Sequence, residues 1–290
     1  MAFRKRREAL RSILSGSSCI RPGSVYDAAS IRIAADLGFE LGMFGGSVAS
    51  LAVLGDPDIA LITLTELAEQ MRRMSRAADL PVLVDADHGY GNALNVRRTV
   101  QELEAAGAAG LTIEDTLLPQ AYGVTKIQLI SLEEGVGKIK AALDGRGDPT
   151  LVIMGRTGAA SVTSIEDAIA RARAYEANGV DALFFTGVKT LAELDAIAAA
   201  TTLPIVLGGA PEEMSDPGIL AGQRVRIALQ GHAPFAAATQ AVYETLKALR
   251  EGQPPRTLKG LASADLTGRV TREADVKARS TEFLGLKNLS

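Results

Sequence analysis

The sequence predicts an α/β fold, a closed (β/α)8 TIM barrel that carries a C-terminal helical extension. Short β-branched runs alternate with longer Ala-rich segments of helical period about eight times along the chain. The hydrophobic content is 47% and the mean hydropathy is +0.14, values that call for one large core. Because no change of composition marks a linker, we expect a single domain over residues 1–290, with a tail at residues 256–290 as part of it.

Eight runs are typical of buried parallel strands because they are short, apolar and bounded by turn residues. In chain order they are residues 23–26, 40–45, 82–86, 110–114, 151–156, 182–186, 204–207 and 225–229. A plausible helix follows each strand. These helices include residues 30–37, 63–77, 95–106, 132–143, 164–178, 191–199 and 234–249. Gly38, Gly107 and Gly179 stand where a left-handed C-terminal cap is expected.

The alternative to a barrel is an open doubly wound sheet that binds a dinucleotide. Such a sheet needs the pattern G-x-G-x-x-G at its first strand-to-helix turn, and residues 22–27 lack it. Residues 1–14 are basic and lack the apolar core of a signal peptide, so we expect a solvated amphipathic helix there. The apolar runs are also far shorter than the roughly 20 residues of a membrane-spanning helix.

Charge and cysteine content limit the partners and the compartment. With 31 Lys and Arg against 34 Asp and Glu, the net charge of −3 offers no attraction to nucleic acid or to an anionic membrane. Cys19 is the one cysteine, so neither an internal disulfide nor a cysteine zinc site can form. A lone thiol suits a reducing compartment, and we expect a cytoplasmic protein.

Polar side chains follow the predicted strands at the point where each strand ends, which in a barrel is the edge that carries the active site. The candidates are Ser47 after the second strand, Asp85 and Asp87 after the third, Glu114 and Asp115 after the fourth, Arg156 after the fifth, and His232 after the eighth. We therefore expect acids, a guanidinium, an imidazole and a hydroxyl to meet at one mouth.

Asp85, Asp87 and Glu114 would repel one another in a recessed site unless a cation lay among them. Carboxylates without neighbouring thiols favour Mg²⁺ or Mn²⁺ over zinc, and Mg²⁺ takes only one or two carboxylates directly. Some of these acids would then act through water. Any one of them taken alone could instead cap a loop or a helix.

Arg156 ends an apolar strand and suits a bidentate hold on a carboxylate, although a salt bridge to Glu114 is the alternative. The segment Gly45-Gly46-Ser47 allows an anion to approach its backbone N–H groups closely, but it could also be a simple tight turn. His232 is a candidate substrate contact, whereas His88 is more typical of a structural histidine.

Several stretches resemble the isocitrate lyase and phosphoenolpyruvate mutase superfamily over nearly the whole barrel. They are Asp85-Ala86-Asp87-His88-Gly89-Tyr90-Gly91-Asn92, Thr112-Ile113-Glu114-Asp115 and Gly45-Gly46-Ser47-Val48-Ala49-Ser50. Within that superfamily the chain most resembles the bacterial oxaloacetate decarboxylase family, through residues 33–40, 89–96 and 133–139.

The resemblance implies a metal-dependent barrel enzyme that acts on a small α-keto dicarboxylate. Asp85 would touch Mg²⁺, or Mn²⁺ in its place, while Ser47, Arg156 and His232 would hold the substrate. Asp58, Asp87 and Glu114 match acids that family members use around the waters of the metal. Asp85 and Arg156 would then be the residues most directly involved in catalysis.

The residues after the fourth strand bear on the reaction. Lyases of this superfamily resemble one another in a loop whose cysteine protonates the departing carbanion, and residues 115–123 contain no cysteine. Decarboxylation of oxaloacetate to pyruvate and CO₂ does not need such a cysteine, since a metal can hold the resulting enolate and solvent can protonate it. We therefore predict a carboxy-lyase, an oxaloacetate decarboxylase.

Other activities remain open. A C–C lyase of the methylisocitrate or dimethylmalate type, or a phosphonopyruvate or carboxyphosphonoenolpyruvate mutase, is the alternative enzyme class. Gly158 and Gly208-Gly209 depart from the more polar residues of the superfamily, which favours a shifted substrate pocket. A barrel that only binds or scaffolds is the third interpretation, and the presence of the acids together with Arg156 disfavours it.

The tail at residues 264–290 has helical period and spaced apolar positions, among them Val276, Phe283 and Leu284, but it is too polar to fold alone. It could pack on a partner subunit or on the outer ring of the barrel. The resemblance implies exchange of C-terminal helices between subunits and a homotetramer built as a dimer of dimers.

Overall fold

The structure is a computed structural model that describes residues 3–286. Its centre is a sheet of eight parallel strands that pair in chain order. The strands are β1 (Gly23–Ser24), β2 (Gly42–Phe44), β3 (Val82–Asp85), β4 (Gly110–Glu114), β5 (Val152–Thr157), β6 (Ala182–Phe185), β7 (Ile205–Leu207) and β8 (Val225–Ala228). Ile20, just before β1, closes the sheet on itself, because its N–H donates to the Arg226 carbonyl at 2.9 Å and its carbonyl accepts from the Ala228 N–H at 3.0 Å. The predicted barrel is confirmed.

Helices connect the strands, and each strand-to-strand crossover contains at least one. The connecting helices are α2 (Ala28–Asp36), α3 (Gly46–Val53), α4 (Leu64–Ala77), α5 (Ala93–Ala106), α6 (Leu132–Gly145), α7 (Ala159–Val162), α8 (Ile165–Ala177), α9 (Leu191–Ala200) and α10 (Pro217–Gly222), and α1 (Arg4–Ser15) precedes β1. The helices α11 (Ala233–Arg250), α12 (Ala264–Thr271) and α13 (Glu273–Leu284) follow β8. None of the helices within residues 3–286 is long and apolar enough to cross a bilayer.

The predicted strands and helices match the observed ones to within a few residues. Gly38, Gly107 and Gly179 all have positive φ, as predicted for helix ends. Three short helices, α3, α7 and α10, were not predicted. They lie in segments rich in Gly, Ser and Pro, whose composition is that of turns. Asp216 caps α10, because its side chain accepts from the N–H groups of Gly218 and Ile219.

Side chains inside the barrel follow the two-residue period of the strands. In β5, Val152 and Met154 belong to one apolar cluster together with Leu83 of β3. The next positions of the same parity, Arg156 and Asp85, therefore also face the interior, but at the carboxyl ends of the strands. The interior is thus apolar at one end and charged at the other.

The first helix corrects one prediction. Residues 1–14 were expected to form a solvated helix, yet Leu10 and Leu14 of α1 are buried in the cluster that fills the barrel. Arg7 is also buried and donates to Asp148 at 2.7 Å and to the Ala108 carbonyl at 3.2 Å. The helix has one face that covers the amino-terminal end of the barrel, and only its other face is solvated.

Contacts within the chain divide it into two units, Met1–His232 and Ala233–Ser290. The second unit contains α11, α12 and α13, none of which buries a residue. Large apolar side chains such as Tyr243 and Phe283 are exposed in it. The prediction of a single domain stays a prediction, and the last four residues of the predicted tail, 287–290, lie outside the described residues.

Candidate active site

The centre of the site is an arginine shared by two carboxylates. Strand register places Glu114 of β4 beside Arg156 of β5. Arg156 Nη1 lies 2.5 Å from Asp85 Oδ2, and its Nη2 lies 3.1 Å from Glu114 Oε2. The guanidinium also stacks 5.2 Å from the ring centroid of Phe184. A planar, two-armed cation therefore joins the ends of three neighbouring strands, and the predicted salt bridge to Glu114 is present along with the one to Asp85.

Thr112 orients Asp85. Its hydroxyl donates to Asp85 Oδ1 at 3.0 Å, and register places the two residues side by side. The Asp87 N–H donates to the same oxygen at 3.3 Å. Thr112 was part of the resemblance but was not predicted as a site residue, although its place two residues before Glu114 on the same strand gives both side chains the same inward parity. The Asp85 carboxylate is consequently held in one orientation by neighbours on both sides.

The mouth has more acidic than basic side chains, and the pKa values of Asp87 and Glu114 are raised there. Burial, then repulsion from Asp85 and Glu114, raises the pKa of Asp87 well above its usual range. Burial raises the pKa of Glu114 to about 7 against the opposing charge of Arg156. Burial opposes the charge on Arg156 itself, but Asp85 and Glu114 raise its pKa overall. A further positive charge would relieve this excess of carboxylates.

Two glycines bring the remaining site residues close to the backbone. A Cβ on Gly46 would collide with the carboxylate of Asp87, and a Cβ on Gly45 would lie 2.8 Å from Nε2 and Cε1 of His232. Gly45 also precedes α3, so the free N–H groups of the first turn of that helix point into the same region as half-buried Ser47. Such a helix start favours an anionic group. The predicted anion-binding segment is therefore the beginning of a helix and not a simple turn.

Two predicted residues act on this centre from its edge. Burial lowers the pKa of His232, an effect that the charges of Asp85 and Asp58 partly offset. Asp58 lies on an exposed loop, yet neighbouring atoms partly desolvate its carboxyl, and this desolvation together with the charge of Asp85 raises its pKa. The structure thus brings the predicted residues to one mouth, with Asp58 coupled to it through charge.

A strained loop carries Asp87. Asp87 and Tyr90 have φ of 46° and 61°, in the left-handed region, and Gly89 and Gly91 between and after them are also positive. The buried ammonium of Lys138 on α6 donates to the carbonyl of His88 at 2.9 Å. This hydrogen bond ties the loop to α6 and keeps Asp87 beside Asp85.

We expect Lys138→Met to weaken metal binding by about tenfold. This is the lower end of the range for residues that do not bind the metal but hold its ligands in place. Methionine preserves the buried stem but cannot hold the His88 carbonyl. The readouts are the Mg²⁺ concentration for half-maximal activity and Mn²⁺ binding measured by electron paramagnetic resonance. Lys140→Met, exposed on the same helix, is the matched control. Unchanged metal affinity in Lys138→Met would contradict the assignment.

One strand-end residue, Asp115, lies elsewhere than at the mouth. Asp115 was expected there with Glu114, but it is 2% exposed and accepts from Arg171 at 3.0 Å and from the Tyr175 hydroxyl at 2.8 Å. Being one residue beyond Glu114, it has the opposite parity and faces α8. Burial together with the Lys138 charge lowers the pKa of His88, in the loop after β3, to about 4. Its structural interpretation stays a prediction.

The carboxylates at the mouth fit a hard divalent cation that binds few protein side chains directly and keeps several waters. Within residues 3–286, no three His, Cys, Asp or Glu side chains come close enough to enclose a metal ion by themselves. Mg²⁺ does not need three, because it usually keeps several waters. Asp87 Oδ2 is buried without a hydrogen-bond partner and is available to such a water. Asp85, which the resemblance predicts to touch the ion, lies at the same mouth in an ion pair with Arg156.

Taken together, the fold and the site define a class of enzyme, an α/β barrel with a carboxylate-rich mouth and an arginine suited to a small acidic substrate. A phosphoenolpyruvate phosphomutase family model matches residues 10–250. The chain belongs to this family, which confirms the resemblance found in the sequence.

Individual relatives and solved structures are also similar to this chain. The oxaloacetate decarboxylase of Bradyrhizobium diazoefficiens is 81% identical over 287 residues, covering 99% of this chain and 100% of the relative. That of Rhodopseudomonas palustris strain BisB5 is 76% identical and covers 99% of each chain. Among solved structures, oxaloacetate acetylhydrolase in complex with 3,3-difluorooxalacetate has a TM-score of 0.86 at 26% identity, covering 99% of each chain. Phosphonopyruvate hydrolase in complex with oxalate and Mg²⁺ has a TM-score of 0.85 at 27% identity, covering 96% of this chain and 99% of that one.

Proposed function

We propose that this chain is a carboxy-lyase that decarboxylates oxaloacetate to pyruvate and CO₂ in the presence of Mg²⁺, with Mn²⁺ as a substitute. The observation that carries the proposal is the 81% identity, over 99% of the chain, to a relative named oxaloacetate decarboxylase. The arrangement of Asp85, Glu114 and Arg156 at the mouth supports it, since these groups suit a cation and a small dicarboxylate.

Each site residue has a role in this proposal. Arg156 binds a carboxylate of the substrate through guanidinium N–H groups other than the two that face Asp85 and Glu114. Ser47 and the first N–H groups of α3 receive anionic oxygens, and His232 contacts the substrate from the side of Gly45. Asp85 touches the metal. The remaining acids, Asp58, Asp87 and Glu114, orient its waters.

The reaction breaks the bond between C3 and C4 of oxaloacetate, and its electron pair stays on the three-carbon fragment. When bound, Mg²⁺ supplies positive charge that polarises the 2-oxo group and stabilises the negative charge that develops there. Arg156 and the α3 N-terminus hold the fragment while CO₂ leaves. No cysteine is present in residues 115–123, so a proton from solvent completes pyruvate.

Product analysis tests the proposal. Full-length protein is incubated with oxaloacetate and MgCl₂, and ¹H NMR follows pyruvate, acetate and residual substrate, with a protein-free sample containing the same metal to correct for spontaneous decarboxylation. Pyruvate formed faster than in the blank is the expected result. Acetate and oxalate in place of pyruvate would instead assign the C2–C3 cleavage for which the solved acetylhydrolase is named.

The second candidate is a C–C lyase or a mutase on a related acid. The structural likeness to 2,3-dimethylmalate lyase, at a TM-score of 0.80 and 25% identity, favours including it. Malate-type acids and phosphonopyruvate in the same assay distinguish these activities. Conversion of one of them without turnover of oxaloacetate would replace the first candidate.

The partner of the site is thus a small α-keto dicarboxylate, and the net charge of −3 supports neither nucleic acid nor an anionic membrane as a further partner. A cytoplasmic location accords with the single cysteine, Cys19.

A homotetramer, built as a dimer of dimers with exchanged C-terminal helices, is the proposed assembly. The exposed apolar side chains of α11 and α13, such as Tyr243 and Phe283, support it, because water is a poor environment for them. Light scattering after size exclusion should give about four times the chain mass of 30.3 kDa, and a smaller species after truncation at Pro255. A monomer at micromolar concentration would contradict it.

A further inference from the structure

His232 is held by a serine on the first strand that no comparison assigns. Ser24 Oγ lies 2.8 Å from Nδ1 of His232. Ser24 ends β1, where it pairs in register with Met43 of β2, and the next N–H, that of Val25, donates to the Met43 carbonyl at 3.0 Å. The backbone of Ser24 is therefore fixed by the barrel itself, and its hydroxyl meets the imidazole across the seam between the first and the last strand.

The opposite edge of the same ring faces the anion-binding segment. Nε2 and Cε1 approach Gly45 so closely that a Cβ there would lie 2.8 Å from both. The two ring nitrogens thus have different surroundings: Nδ1 has the hydroxyl of Ser24, and Nε2 lies beside the start of α3. Burial favours the neutral form of the ring because it lowers the pKa of His232. In a neutral imidazole one nitrogen carries the proton and the other accepts.

The pair borders a small cavity. Its volume is about 50 Å³, and the residues that line it include Ser24, Met43, Gly208, Gly231 and His232. Next to this space, the imidazole has the hydrogen bond to Ser24 on one edge and the close contact with Gly45 on the other.

We infer that Ser24 is a positioning residue for His232: its hydroxyl donates to Nδ1 and keeps the ring proton on Nε2, where the N–H faces the substrate carboxylate. The reverse arrangement would direct a lone pair at an anion, which is repulsive. This inference rests on the proposed function only for the identity of the substrate. The geometry of the pair is independent of it.

The test exploits the fact that the chain has two histidines. Long-range ¹H–¹⁵N correlation spectra of ¹⁵N-histidine-labelled protein distinguish the protonated from the bare nitrogen in each ring. His88, buried and remote from Ser24 in sequence and partners, is the internal reference. In wild type we expect His232 to carry its proton on Nε2. In Ser24→Ala we expect averaged shifts for His232 and unchanged ones for His88.

Kinetics give the second readout. Ser24→Ala should raise KM for oxaloacetate about tenfold, the effect of losing one hydrogen bond that orients a binding group, with kcat changed less. Ser24→Thr keeps the hydroxyl and should restore both the Nε2–H form and most of the affinity. Ser12→Ala, an exposed hydroxyl on α1, is the control.

The inference is overturned if wild type carries the proton on Nδ1, if Ser24→Ala keeps the wild-type spectrum and KM, or if Ser24→Thr loses as much as Ser24→Ala. The proton on Nε2 could depend on Ser24 in a protein that does not convert oxaloacetate, and this result would support the positioning role and reject the proposed function. If Ser24→Ala decarboxylates oxaloacetate normally and its spectrum is unchanged, the proposed function stands and the positioning role is rejected.

Discussion

Asp85→Asn loses metal-dependent turnover on the order of 10³-fold, since a metal supplies several kcal/mol of charge stabilisation and each 1.4 kcal/mol is a factor of ten. The amide preserves the size of the side chain and the hydrogen bond from Thr112, but it cannot hold the cation as a carboxylate does. Asp85→Ala should be equally inactive. It still folds because Arg156 keeps Glu114 as a partner at 3.1 Å.

Initial rates of pyruvate formation at saturating Mg²⁺ measure this effect, with circular dichroism to verify the fold. The matched control is Asp144→Asn, which removes a 70% exposed carboxylate paired with Arg97 and should leave the rate unchanged. Wild-type kcat in either Asp85 variant would remove Asp85 from the metal site.

Arg156→Lys should reduce kcat/KM about 10²-fold, the equivalent of one lost hydrogen bond between charged groups of about 3 kcal/mol. The guanidinium reaches Asp85 and Glu114 at the same time and stacks on Phe184, and a single ammonium cannot do all three. The loss should fall on KM as well as on kcat, because Arg156 binds the substrate carboxylate in the proposed reaction.

Arg97→Lys provides the comparison, since Arg97 forms an exposed pair with Asp144 at 2.6 Å and has no part in the site. Near-normal KM and kcat in Arg156→Lys, accompanied by a lower melting temperature, would make Arg156 a purely structural bridge between the strands.

Much of the architecture could be predicted because the period of apolar residues is a local property. The alternation of strand and helix gave all eight strands of the barrel, and three glycines marked helix ends through their φ values. The polar residues after each strand were also predictable, since the carboxyl ends of the strands meet at one edge. Short helices such as α3 were missed, because the composition of Gly46–Val53 begins like a turn and its helix depends on what packs around it.

The sequence by itself determined which side chains reach the mouth: Asp85, Glu114 and Arg156 each lie at the carboxyl end of a strand, where the apolar interior stops. The tertiary structure alone decided how they pair. Strand register sets Glu114 beside Arg156 and Thr112 beside Asp85, while parity turns Asp115 away toward α8. Barrel closure brings Ser24 to His232, residues 208 positions apart in the chain. Periodicity along one strand fixes the face a residue occupies, but its neighbours depend on how far each strand is shifted against the next, and only the closed barrel sets that shift.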